Sequence, residues 1–225
     1  MANLTQLRML ENLDGFLLVD KPEGLAFATV LKTVKRKFNL VKVGHGGSLD
    51  TMASGLFVIL VGDANKYADR VMGADRTYSG VLRFGETTDT GDRYGRPAPL
   101  PSPVMPLADA RGDVFQTEPR FCSVRRDGAA EYEVVDTGDH AQFLSHVYRM
   151  DVADAAGPEK TFTLAASKNL LPRALAIDLG ATLISLRREK VGKFDVKDAI
   201  PFARLLETEM KDFASVVLPL AKALA

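Results

Sequence analysis

The chain has 225 residues, 46% of them hydrophobic, and 29 Lys and Arg against 29 Asp and Glu, so its net charge is zero. That apolar share builds a sizeable core and excludes a disordered chain, and the length suits one large domain or two small ones. A neutral balance excludes a broadly basic surface, so a nucleic-acid partner has to be met by local basic patches. Cys122 is the single cysteine, which excludes an internal disulfide. No stretch approaches the roughly eighteen apolar residues of a membrane span. Residues 1–15 mix Arg8 with Glu11 and Asp14 where a secretory leader carries an unbroken apolar run. The expected compartment is the cytoplasm.

In chain order, Gly15-Phe16-Leu17-Leu18-Val19-Asp20 is a short apolar run closed by Lys21-Pro22-Glu23-Gly24, a buried strand followed by turn chemistry. Phe27, Val30, Leu31, Val34 and Phe38 recur at helical spacing, while Lys32, Lys35, Arg36 and Lys37 largely fill the remaining faces. The result is a helix with a core stripe and a basic side. Next, Val43 to Thr51 packs Gly44, His45, Gly46, Gly47 and Asp50 into a loop that glycine allows to bend sharply. Local chemistry leaves Asp50 two readings, a helix cap and a carboxylate held by scaffold yet reachable from outside. Residues 56–62 are continuously apolar, as in a strand buried on both faces. Asp63 then precedes Ala64, Tyr67, Ala68 and Val71, a short helix with Asp63 as its cap. Residues 76–85 form a strand with Tyr78, Gly80, Leu82 and Phe84 on one face and Tyr78 near its start.

From Glu86 to Pro106 the periodicity is lost and Thr88, Asp89, Thr90, Gly91, Asp92, Gly95 and five prolines gather in a long polar loop. Residues 114–132, with Gln116, Pro119, Arg120, Phe121, Arg125 and Arg126, read as an extended segment turning at Asp127-Gly128. Residues 161–165 suit a strand, 170–183 a helix interrupted early by Pro172, and 184–188 another short strand. Asp195 is placed to cap a helix beginning near Val196, and residues 202–225 carry a helical pattern with one break at Pro219. Without repeat or linker, these elements predict a single α+β domain over residues 1–225. His45, His140 and His146 are scattered and lack a cysteine cluster, so no metal set is expected.

Colinear motifs carry the functional signal. They begin with Gly15 through Pro22, then Gly44-His45-Gly46-Gly47-Ser48-Leu49-Asp50, then Tyr78, then Gly85 with Thr88, Thr90, Asp92 and Gly95. They continue through Gln116, Pro119 and Phe121, Ser167-Lys168 with Arg173, Asp178-Leu179-Gly180, and Leu186-Arg187-Arg188 followed by Val191-Gly192-Lys193-Phe194. In this order they resemble the TruB family of tRNA pseudouridine synthases over most of residues 13–200. The resemblance implies the pseudouridine synthase fold, a mixed, mostly antiparallel central sheet flanked by helices and loops, with an RNA-binding cleft. It implies an enzyme that detaches the uracil of a uridine already in RNA and rejoins it through carbon. The substrate implied is the uridine of the tRNA T loop, with no cofactor or metal and a monomer as the acting species. Matched position by position, Asp50 is the catalytic aspartate, Tyr78 packs on the target base and Arg173 pairs with the aspartate. His45 helps hold the RNA open and Leu186 lines the pocket. Lys21, Lys35, Arg36, Gly44, Arg187 and Arg188 complete the expected RNA-binding set. The RNA is expected to run across Lys32, Lys35, Arg36 and Lys42 on one side of Asp50 and Arg187, Arg188 and Lys190 on the other.

The chemistry asks for these residue types. A carboxylate is ionised at neutral pH and serves either as a nucleophile or as a base toward the sugar. A guanidinium orients it and keeps it charged in a cleft. Reaching a glycosidic bond in a folded loop requires flipping the base, and an aromatic face offsets the lost stacking.

Departures from the family pattern fall at Gly46, Thr51 and Asn169-Leu170-Leu171-Pro172, where Leu171 replaces a second active-site tyrosine. The chain is also several residues shorter between Gly180 and Leu186, and residues 1–225 are expected to form the catalytic domain without the family's C-terminal RNA-binding domain. Two classes stay open, an active compact synthase and a non-catalytic RNA-binding or RNA-folding relative. Phosphate binding by the glycine loop is a third and weaker class, because the glycines match neither nucleotide-binding pattern.

Overall fold

The apolar run near the start forms β1 (Gly15–Lys21), buried at every position but Asp20. The computed structural model describes residues 13–117, 121–126, 129–134 and 142–224. They fall into two compact units, one of Met1–Ala74 with Arg188–Ala225 and one of Asp75–Arg187.

In the first unit, β1 turns at Gly24, whose φ of +79° suits glycine, into α1 (Phe27–Lys37). This helix buries Phe27, Val30 and Val34 and carries Lys35, Arg36 and Lys37 in its last turn, where they complement the helix dipole. The chain then forms β2 (Val43–His45) and β3 (Ala53–Val61). β3 lies antiparallel to β1, from Gly15↔Val61 to Lys21↔Gly55, and β2 pairs with its far half, from Val43↔Val61 to His45↔Ile59. Side-chain alternation on β1 and β3 explains their unbroken apolar character. Leu17, Val19, Phe57 and Ile59 pack with α1, while Phe16, Leu18, Leu56, Val58 and Leu60 pack with Val71, Val191 and Phe194. Asp63 does not cap the next helix. It is the second residue of a 3-10 segment (Gly62–Tyr67), and α2 (Ala68–Met72) begins five residues later.

The second unit opens with β4 (Arg76–Phe84), on which Tyr78 and Leu82 are buried. The polar loop contains a two-residue ladder of β5 (Thr87–Thr88) with β6 (Pro97–Ala98). Then come β7 (Gly112–Thr117) and a hairpin of β8 (Phe121–Arg126) and β9 (Ala129–Val134), followed by β10 (Gln142–Asp154) and β11 (Glu159–Ala166). The turn expected at Asp127-Gly128 lies outside the described residues, as do Pro119, Arg120 and His140. The order β4-β11-β10-β7 is antiparallel throughout, with Tyr78 opposite Leu164. Pro172 starts α3 (Pro172–Asp178) and does not interrupt it. Proline's fixed φ and missing N–H suit the first helical position. The helix ends before Gly180, which has φ +62°. β12 (Ala181–Val191) is therefore longer than expected.

Back in the first unit, β13 (Phe194–Asp195) folds onto the end of β12. Asp195 caps as expected, its Oδ1 accepting the Lys197 N–H at 3.0 Å, but the element is a single 3-10 turn. β14 (Ile200–Pro201) runs parallel to β1, which makes this unit's sheet mixed. The tail is not one interrupted helix. It breaks into α4 (Phe202–Glu207), α5 (Phe213–Val216), β15 (Leu218–Pro219) and α6 (Leu220–Leu224). Its apolar anchors come in two groups, Phe202 with Leu205 and Phe213 with Val217, with a 3-10 turn at Met210–Asp212 between them. Phe213 stacks on Phe38 with centroids 3.9 Å apart. Among the described residues no helix is long and apolar enough to cross a membrane.

Candidate active site

Asp50 lies half-buried at the end of the glycine loop, in the first unit. The loop is held by main chain. The Gly46 N–H donates to Val58 O at 2.9 Å, Ala53 N–H to Asp50 O at 3.1 Å, and Gly24 N–H to Thr51 O at 2.8 Å. The His45 ring sits edge-on to Phe27 with centroids 5.2 Å apart, and its Nδ1 accepts the Gly47 N–H at 3.2 Å. That bond leaves Nε2 as the protonated nitrogen of the neutral ring. A Cβ at Gly44 would meet the Asn65 amide and one at Gly46 the Val71 side chain, so either would need its neighbour to move.

Two residues expected to contact RNA are built into the scaffold instead. Arg188 is 1% exposed, and its guanidinium donates from Nε to Leu56 O at 2.8 Å and from Nη1 to Ser48 O at 2.7 Å. A longer contact runs from Nη2 to Gly47 O at 3.4 Å. An arginine so engaged ties the Asp50 loop to β3 and has no donors turned to a phosphate on the surface. Gly55, with φ +102°, lets the Arg188 backbone come close. Lys21 is likewise fully buried, and its Nζ donates to Pro22 O at 2.9 Å and Leu25 O at 2.7 Å, with Thr51 O at 3.5 Å.

Burial lowers the Lys21 ammonium to a pKa of about 8, against the opposing pull of Asp50 and with a further push from Arg188. The unfolded chain holds this proton up to the ordinary lysine value, so above about pH 8 the unfolded state binds more protons and stability rises with pH. The urea midpoint of the wild type is accordingly expected to rise relative to that of Lys21→Met between about pH 8 and 10. A difference that stays constant across this range would show that the amine is not held in a depressed state.

In the second unit, Tyr78 is 5% exposed near the start of β4. Arg173, the second residue of α3, is 7% exposed and donates from Nη1 to Thr90 O at 2.9 Å. The Thr90 turn is braced by Asp92, whose Oδ1 accepts from Thr90 Oγ1 and from the Tyr94 N–H, both at 2.9 Å. Gly91, with φ +74°, lies close to the Arg173 carbonyl, and Leu183 N–H donates to Gly91 O at 3.0 Å. Leu186 is buried on β12 and Arg187 is half-buried.

Of the other basic residues, Lys32, Lys35 and Arg36 are exposed on α1. Lys42 lies 3.7 Å from Asp63 and Lys190 lies 3.3 Å from Asp195, so both charges are partly balanced. His146 lies on β10, its Nδ1 2.6 Å from Asp113 Oδ1. Gln116, one of the motif residues, is fully buried and bonded at both ends of its amide to Leu171.

The fold matches those of solved structures. One is a Cbf5–Nop10–Gar1 complex, with a TM-score of 0.69 and 21% identity over 96% of this chain and 63% of that one. Another is an H/ACA ribonucleoprotein bound to a substrate RNA containing 2′-deoxyuridine, with a TM-score of 0.67 and 20% identity. The fold is that of the pseudouridine synthases. Residues 35–170 match the model of the TruB family pseudouridylate synthase N-terminal domain. The tRNA pseudouridine synthase B of Aromatoleum aromaticum is 34% identical over 209 residues, covering 85% of this chain and 68% of that protein. That of Bordetella avium is 35% identical over 84% of this chain, and that of Opitutus terrae 30% identical over 95% of both chains. The chain belongs to the TruB family of pseudouridylate synthases, isomerases that act on RNA.

Proposed function

We propose that this chain isomerises the uridine of the tRNA T loop to pseudouridine, as a cytoplasmic monomer. Asp50 carries the reaction as nucleophile or base, Tyr78 stacks on the flipped base, and Arg173 supplies the counter-charge for the carboxylate. His45 and Gly44 meet the RNA beside the reacting nucleotide, and Leu186 lines the base pocket. The observation that carries the proposal is the family match over residues 35–170, which takes in Asp50 and Tyr78. The relatives' shared name, tRNA pseudouridine synthase B, supports tRNA as the substrate. A neutral chain also needs a local cation face for RNA, and exposed Lys32, Lys35 and Arg36 on α1 supply one.

The direct test is pseudouridine formation by the purified protein on an unmodified T-arm hairpin. Conversion at the T-loop uridine supports the proposal, whereas RNA binding without conversion on this hairpin and on a panel of cellular RNAs selects the non-catalytic reading. That second reading has one observation in its favour, Leu171 at the position of the family's second tyrosine.

Phosphate contacts release counterions, so affinity for the hairpin is expected to fall steeply with salt. Replacing Lys35 or Arg36 with alanine should each reduce the slope of log K against log salt by about one. A slope unchanged in both variants would remove α1 from the RNA path.

A further inference from the structure

We propose that Gln116 is a positioning residue for Arg173, acting through the backbone of Leu171; the proposal rests on the role given to Arg173 above. β7 alternates, with Asp113, Phe115 and Thr117 exposed and Val114 and Gln116 buried. The Gln116 amide therefore points away from solvent, at 0% exposure. Its oxygen accepts the Leu171 N–H at 3.0 Å and its NH2 donates to Leu171 O at 3.0 Å. With both bonds made, the side chain imitates a neighbouring strand's peptide group.

Leu171 is the residue that launches α3. It has extended φ and ψ of −104° and 106° and offers no capping side chain. The next residue, Pro172, has no N–H, so it cannot be anchored through a donor. Arg173 follows directly, with its guanidinium on Thr90 O at 2.9 Å. α3 has only 7 residues, too few to fix their own direction, so the helix takes its orientation from what holds its ends. The Gln116 clamp acts one residue before the proline and two before the arginine. It does not depend on the side chain at position 171. The side chain there contributes no hydrogen bond, and the clamp needs only the backbone.

The test compares Gln116→Met, which lacks both polar groups, with Gln116→Glu. A glutamate carboxylate has acceptors only, whereas its protonated form regains the donor, and burial raises the pH at which it protonates. The single-turnover rate of Gln116→Met on the T-arm hairpin is expected to fall roughly ten- to a hundredfold at every pH, with hairpin Kd changed less than about twofold. Gln116→Glu should be as slow near pH 8.5 and recover at least about fivefold relative to wild type near pH 6. In an Arg173→Lys background, Gln116→Met should add less than about twofold, because both changes disable the same guanidinium. Wild-type rates in both Gln116 variants would overturn the proposal. So would a loss equal in rate and Kd, without recovery at low pH and additive with Arg173→Lys, which is the mark of a merely structural role.

If Gln116→Met does not fold, Gln116→Glu at low pH keeps both bonds and carries the comparison. Amide exchange at Leu171 separates the clamp from the catalytic reading. Protection of this N–H in the wild type, lost in Gln116→Met while β10 and β11 stay protected, supports the clamp whatever the activity. An unprotected wild-type Leu171 overturns it. A wild type that makes no pseudouridine overturns the catalytic reading, and the role toward Arg173 with it.

Discussion

Asp50→Asn is expected to reduce pseudouridine formation on the T-arm hairpin by about a thousandfold or more while leaving the fold and hairpin affinity intact. Asparagine has the shape of aspartate but neither the charge for attack on carbon nor the basicity for taking a proton. The loop should survive the change, because its anchors are main-chain groups: Gly46 N–H to Val58 O, Gly24 N–H to Thr51 O, and the Ser48 carbonyl on Arg188. RNA affinity should hold or rise slightly, since the substitution removes a negative charge near a polyanion. Single-turnover rates and hairpin Kd, measured together with thermal unfolding, separate these effects. Activity within about tenfold of wild type would mean that another group performs the chemistry. A lost fold would mean that the carboxylate is mainly a structural element of the loop.

Local pattern sufficed wherever an element's own residues decide its state. β1 and β3 are unbroken apolar runs because alternate side chains enter two different cores, and α1 follows its helical stripe of Phe27, Val30 and Val34. In the Asp50 loop the glycines at 44 and 46 stand where a Cβ would meet Asn65 and Val71, neighbours that the local sequence does not show. The departures have more than one cause, some local and some resting on groups far away in sequence. Pro172 reads as an early break, but its fixed φ and missing N–H fit the first position of α3, which it starts. The tail was read as helical, yet Leu218 and Pro219 are drawn into pairing with β1. Arg187 and Arg188 look like a paired basic patch, although consecutive residues on a strand face opposite ways. Leu186 and Arg188 therefore share a buried parity on β12, while Arg187 and Glu189 are half-buried. Strand parity is the sequence signal that places Arg188 with Leu186.

That burial makes Arg188→Met the substitution with the largest expected effect on stability. Methionine fills most of the side-chain volume, so the loss is chiefly of donors. Leu56 O and Ser48 O lose bonds of 2.8 and 2.7 Å, and Gly47 O loses a longer contact. A buried acceptor left without its partner costs about 1–3 kcal/mol, so the variant should lose about 3–5 kcal/mol in total. A domain's whole stability is about 5–15 kcal/mol, which makes this a large fraction of it. Arg188→Lys should recover little, because a single ammonium cannot reproduce a planar fork aimed at separate carbonyls. Arg187→Met, one residue earlier and half-buried, should cost less than about 1 kcal/mol. Urea midpoints at equal m-value give all three comparisons. Ser48 precedes Asp50 by two positions, so whatever fraction of Arg188→Met remains folded should also turn over slowly, with rate falling before hairpin affinity. An unchanged midpoint, together with a salt slope lower by about one, would give Arg188 the opposite role, that of a phosphate contact.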